Sequence, residues 1–122
     1  MPISVQTTTV AGAPNAITTL TIPAAGTGFG TLYLDSLSIY RIATAALAGG
    51  AILTITSTNL PGGPSWRVGN NMIAGGTQID IDDQYVQSIK AAAAGTAITI
   101  VMPAAGAAVS WHAVATWHVG PS

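Results

Sequence analysis

The chain has no cysteine and no glutamate, and among its 122 residues only three are basic and four acidic. Without cysteine there is no disulfide and no thiolate metal site, and the redox state of the compartment leaves no trace. The ionised residues are Asp35, Arg41, Arg67, Asp80, Asp82, Asp83 and Lys90, 6% of the chain, against about 25% in an average soluble domain. Three scattered cations do not form the Lys/Arg cluster that phosphate recognition requires, so no nucleic acid is expected as a partner. The same scarcity excludes a polybasic membrane anchor.

Long hydrophobic runs are also missing. Residues 91–109, "AAAAGTAITIVMPAAGAAV", hold no charge. They are mostly Ala, Gly and Thr, broken by Pro103 and Gly106, and Ile98–Met102 is the only strongly apolar part. A spanning helix needs about 20 strongly apolar residues, so no membrane partner is expected. The opening "MPISVQTTTV" lacks the basic and apolar regions of a secretory signal. None of Asn15, Asn59, Asn70 and Asn71 has Ser or Thr two residues on, so N-glycosylation is not encoded. Synthesis in the cytoplasm is the expectation.

What is present is strand signal, repeated along one uniform composition that reads as a single domain over residues 1–122. Thr, Ile and Val are abundant, and Gly and Pro punctuate the apolar runs. The pattern predicts strands near Ser4–Val10, Ala16–Ile22, Thr31–Ile42, Ala51–Ser57, Thr77–Ile81, Tyr85–Lys90, Ala97–Met102 and Ala108–Val119, with "WRVG" at Trp66–Gly69 as a short ninth. Thr44–Ala48 and Ala91–Ala94 offer a single helical turn each. No long amphipathic helix is available to cover a sheet, so two sheets must cover each other. The expected fold is all-β: a two-sheet β-sandwich of jelly-roll type with about eight short antiparallel strands. "PAAG" occurs at 23–26 and at 103–106, each time between two strands, as a corner with Pro setting φ and Gly free to take positive φ.

The stretch "SWHAVATWHVG", residues 110–120, holds both histidines and two of the three tryptophans. On a strand, alternate residues share a face. Val109, Trp111, Ala113, Ala115, Trp117 and Val119 then form an apolar face, and both tryptophans are expected in the core. His112 and His118 share the other face. Six residues along a strand is about 20 Å at ~3.3 Å per residue, whereas a zinc–imidazole bond is about 2 Å. One ion cannot join them within one chain; copies of either histidine meeting on a symmetry axis remain open.

Other motifs resolve less sharply. "GTGFG" at 26–30 runs into the alternating "TLYLDSLSIY" and not into a helix, so it reads as a loop and not as a phosphate cradle. "DIDD" at Asp80–Asp83 is the one acidic cluster. Alternation places Asp80 and Asp82 on one face with Ile79 and Ile81 on the other, a solvated strand edge or a set of oxygen ligands for calcium. A Ser-His-Asp triad is compatible with the composition, but no Gly-x-Ser-x-Gly elbow carries one. No enzyme activity, catalytic residue, metal or cofactor is expected. Trp66, in the Gly/Pro-rich "PGGPSWRVGN", is either a binding anchor beside Arg67 or a lid folded on the sandwich end.

An open sandwich has edge strands, and soluble monomers guard them with Lys, Pro, bulges or inward charge. With one lysine, this chain is expected to bury its edges against itself or in an assembly. At this point "LTITSTNLPGGPSWRVGNNMIAGGTQIDIDDQYVQSIKAAAAGTAITIVMPAAGAAVSWHAVATW", residues 53–117, resembles the small head proteins of tailed bacteriophages, the cement or decoration proteins of the capsid exterior. The likeness lies in a charge-poor, Ala/Gly/Thr-rich β-domain with "NLPG" and "PAAG" corners. It implies a homotrimer on the outside of the virion, bound to the major capsid protein where capsomers meet. The interface candidates are Ile3 and Val5 in "MPISVQTTTV", a segment able to add to a capsid sheet edge, Trp66 and Arg67 in the loop, and His112 and His118. A rival class is a lectin-like, glycan-binding sandwich using Trp66, Tyr85 and Asp80–Asp83; a third is a fibre head domain.

Overall fold

The computed structural model describes residues 5–24, 30–45, 47–72 and 74–121. Eight strands follow in order: β1 (Gln6–Ala11), β2 (Thr18–Ile22), β3 (Thr31–Ala43), β4 (Leu47–Thr58), β5 (Trp66–Met72), β6 (Thr77–Lys90), β7 (Ile98–Met102) and β8 (Val109–Gly120). They form two four-stranded sheets, β1-β8-β3-β6 and β2-β7-β4-β5, in which every pairing is antiparallel. The strands pair 4 with 5, 3 with 6, 2 with 7 and 1 with 8. That is one long hairpin with β4–β5 at its tip, rolled so that β3 meets β8 and β4 meets β7. Such a roll is the jelly-roll topology, which removes the need for covering helices.

The core lies between the sheets and is built by period-two alternation. Leu20 and Ile22 of β2, Leu32, Leu34, Leu37 and Ile39 of β3, Ile98, Ile100 and Met102 of β7, and Val109, Trp111, Ala113 and Ala115 of β8 are buried. Each fully buried Leu or Ile stabilises the fold by roughly 1.5–3 kcal/mol relative to exposure. Large and small alternate on β8, so Ala113 and Ala115 leave room beside Trp111 for the facing sheet. Trp111 donates from its indole Nε1 to the Pro103 carbonyl at 2.6 Å, which ties the second "PAAG" corner to the strand that follows it.

Four sequence expectations shift. Residues 77–90 form one long edge strand, because two bulges absorb the breaks in its alternation. The "WRVG" segment extends to Met72 and becomes β5, so the strand number stays at eight. Ala48 belongs to β4, which starts at Leu47, in place of a helical turn. Trp117 is only half-buried and packs on the rim of the core. Its indole N–H donates to the Thr8 hydroxyl of the edge strand at 2.9 Å. The second half of the first "PAAG" corner and most of "GTGFG" fall outside the described residues.

One loop contact joins the two ends of the hairpin arms. Asn59 adopts a positive φ of 59° after β4. Its side-chain amide donates to the carbonyls of Ala93 and Thr96, and its Oδ1 accepts from the Ala93 N–H at 2.7 Å. Asparagine tolerates this backbone region better than other side chains with a Cβ, and here it also holds the β4–β5 loop to the β6–β7 loop.

Candidate functional site: two polar clusters and the open sheet edges

The first cluster is inside the sandwich. Arg41 falls on the inward face of β3, between the core positions Ile39 and Ala43, and its side chain is fully buried. Its Nε donates to Asp80 Oδ2 at 2.7 Å and its Nη2 to Asp80 Oδ1 at 2.9 Å, a bidentate pair. Nη2 also donates to the Gly69 carbonyl of β5 at 2.6 Å. Gln78 donates to Asp80 Oδ1 at 3.0 Å. The guanidinium lies 5.1 Å from the Trp111 ring centre, within cation–π range. Arg41 therefore links both edge strands of one flank, β6 through Asp80 and β5 through Gly69, to the central strand β3.

A bulge makes this possible. Ile39 pairs with Ile81 and Tyr40 with Ile79, so Asp80 is an extra residue on β6 without a partner on β3. Bulges re-aim side chains. Asp80 and Ile81 consequently both turn inward, while Ile79 turns out and is exposed. The expectation that Asp80 and Asp82 share a solvated face is thus corrected: Asp80 is buried against Arg41, and Asp82 and Asp83 stay exposed. Both Asp80 oxygens accept from Arg41, which leaves this carboxylate committed to the guanidinium and not to a calcium ion. Among the described residues no group of three or more potential ligand side chains gathers around a point.

The second cluster is on the outer face of the first sheet. Asp35 occupies a bulge of β3 between Leu34 and Ser36. Its Oδ2 lies 2.8 Å from His118 Nδ1 on β8, and its Oδ1 accepts from the Ser88 hydroxyl on β6. One carboxylate thus spans three strands. Tyr33 stacks on His118 with ring centres 5.1 Å apart and planes within 8°, and donates its hydroxyl to the Pro121 carbonyl at 2.8 Å. Tyr40 stacks on His112 in the same way at 4.9 Å. Both pairs are direct cross-strand neighbours in the β3–β8 register. Ser88, His118 and Asp35 are the residue types of a catalytic triad, but the order is different. Ser88 donates to the carboxylate and not to the imidazole, so the histidine is not placed to take its proton.

Opposite Asp35, β6 bows outward: between the pairs Ser36–Gln84 and Leu34–Ile89 it spends Tyr85–Ser88 against one residue of β3. Val86 is the fully exposed tip. Tyr85 packs half-buried beside it, and burial, followed by the nearby Asp83 carboxylate, raises its phenol pKa above the ordinary 10.

The remaining predicted contact residues are dispersed. Trp66 opens β5 and is half-buried against the core, while Arg67 beside it is exposed. His112 and His118 are both half-buried under their tyrosines on the same outer face of β8. Val5 is 59% exposed ahead of β1. Ile3 lies outside the described residues. From Gln6 onward, "MPISVQTTTV" is paired with β8 along one side. What it offers a partner is its outer edge. The signals for the two clusters were the lone Asp and Arg on β3; their partners were invisible because both depend on bulges.

No protein-family model and no curated protein matches the chain. Among solved structures, "Structure of infectious bursal disease virus Gx strain" overlaps at 13% identity and a TM-score of 0.23. The overlap covers 98% of this chain and 41% of that chain. At that score the overlap carries no argument about function.

Proposed function

We propose that this protein is a structural component of a virion, a decoration protein that binds the outside of an assembled tailed-phage capsid as a homotrimer. The observation that carries the reading is a jelly roll whose edge strands β1 and β2 are unguarded: neither contains a charged residue or a proline. Both titratable clusters hold strands together, Arg41–Asp80 inside the sandwich and Asp35–His118–Ser88 across three strands of one sheet. What is left for function is the surface, which is neutral and rich in threonine and exposed apolar side chains. Such edges and patches are stable in solution when another chain covers them.

The mechanism is linkage. A protein that binds the assembled shell and not its free subunits stabilises the shell by mass action, and three copies held together gain avidity from effective concentration. With so few charges the contact depends little on ionic strength. The test is co-sedimentation of the purified chain with undecorated expanded heads of the encoding phage, repeated from low salt to half-molar salt. Retained binding across the range supports the reading. No binding to expanded heads, or release by half-molar salt, refutes it.

A further inference from the structure

The roll brings the two ends of the sequence together, and in doing so sorts the charge. Residues 1–34 and 91–122 contain no Asp, Glu, Lys or Arg. They are far apart in sequence. In the fold, β1 lies beside β8 in one sheet and β2 beside β7 in the other, and β1 and β2 adjoin at the same flank of the sandwich. Among the described residues, that half of the molecule therefore carries no Asp, Glu, Lys or Arg side chain. On the other half, Arg41 and Asp80 are buried against each other and Asp35 is paired with His118. The exposed charges Arg67, Asp82, Asp83 and Lys90 all lie on β5 and β6, which adjoin at the opposite flank.

The uncharged flank is an edge on both sheets. Thr7 and Thr9 of β1, and Thr19 and Thr21 of β2, are exposed along it. Val5 and Ile17, just ahead of the two strands, are 59% and 69% exposed. We propose that this β1/β2 flank is the surface through which copies of this chain meet, with the charged β5/β6 flank turned away from the contact. The inference rests on the oligomeric reading given above and assigns its interface. Charge selects the occupant. No charged side chain among the described residues of the flank neutralises an ion, so a partner with a charged surface would bury its charges uncompensated. A second copy of the same flank brings no charge. It also brings the backbone N–H and C=O groups of its own edge strands, so that β1 of one copy meets β2 of the next around a threefold axis.

The test places charge on each flank in turn and reads mass by light scattering over a dilution series. The double variant Thr9→Lys/Thr19→Lys puts ammonium groups at exposed positions of β1 and β2. Gln87→Lys puts one at an exposed position of β6. Circular dichroism and thermal melting establish that each variant is folded. We expect the wild type and Gln87→Lys to run as the oligomer and Thr9→Lys/Thr19→Lys to fall to the monomer, a threefold loss of mass. An oligomer that persists in the folded double variant overturns the flank assignment and leaves the oligomeric reading standing. So does a double variant that stays oligomeric but no longer co-sediments with heads, because the flank then faces the capsid. A wild type that is monomeric at every concentration overturns the oligomeric reading itself. Should the double variant fail to fold, single cysteines at Thr9 and Gln87 in this cysteine-free chain replace it. A short bis-maleimide then links copies through residue 9 and not through residue 87, and the reverse pattern refutes the proposal.

Discussion

Removing one member of the buried Arg41–Asp80 pair should damage the fold far more than removing both. In Asp80→Ala the guanidinium remains inside the sandwich without the carboxylate that now accepts two of its N–H groups. Breaking a buried pair in this way costs about 3–5 kcal/mol. For a domain of this size, with an unfolding entropy of ~2.1 cal/mol/K per residue, 1 kcal/mol corresponds to about 4 °C. The melting temperature should therefore fall by about 12–20 °C. The double variant Arg41→Met/Asp80→Leu replaces the pair by apolar groups of similar volume, an exchange often neutral or stabilising by about 1–4 kcal/mol. Here the Gly69 carbonyl and the Gln78 amide are among the groups that lose a partner. Gly69 is exposed and Gln78 half-exposed, so water reaches both, and part of that gain is offset. The double variant should melt within a few degrees of wild type. Urea and thermal unfolding of wild type, both single variants and the double variant close the cycle, with a coupling energy of about 3 kcal/mol or more. Single losses below about 1 kcal/mol, or a double loss equal to their sum, would refute the view that the pair is a mutual necessity inside the core.

The other predictions are smaller. Trp111→Ala should cost about 3–5 kcal/mol by leaving a cavity and freeing the Pro103 carbonyl, whereas Trp117→Ala, half-exposed at the rim, should cost markedly less; equal losses by urea unfolding would contradict the burial difference. Asn59→Ala combines a strained positive φ with lost loop contacts, and Asn59→Gly loses only the contacts. Glycine should therefore be the milder change by about 1 kcal/mol, and a reversed order in denaturation would mean the backbone strain is unimportant. Because the Tyr85 phenol pKa is raised in the folded state, the unfolded chain gives up this proton first as pH climbs. Stability is fully present below the unfolded value of about 10 and declines as pH rises beyond it. Tyr85→Phe should remove that part of the alkaline loss, which melting curves between pH 9 and pH 11 will show.

The architecture was legible in the sequence because it depends on alternation and on absence. Val109 to Ala115 alternates as a buried strand must, while Trp117 and Val119 of the same expected face lie at the rim; the lack of any helix able to cover a sheet leaves two sheets facing each other as the solution. The faces of His112 and His118, and the distance that keeps them from sharing an ion, follow from strand period alone. Alternation fails wherever a bulge adds a residue. Asp80 was read as solvated because a regular strand puts it beside Asp82; one unpaired residue on β6 turns it inward to Arg41. Asp35 gains His118 and Ser88 by the same device on β3, and both partners lie more than fifty residues away in sequence. Charge shows the division most plainly. Its scarcity, and its confinement to residues 35–90, belong to the sequence. That two ends without charged side chains become one half of the molecule without them was decided by the jelly roll, because only rolling the hairpin places β1 against β8 and β2 against β7.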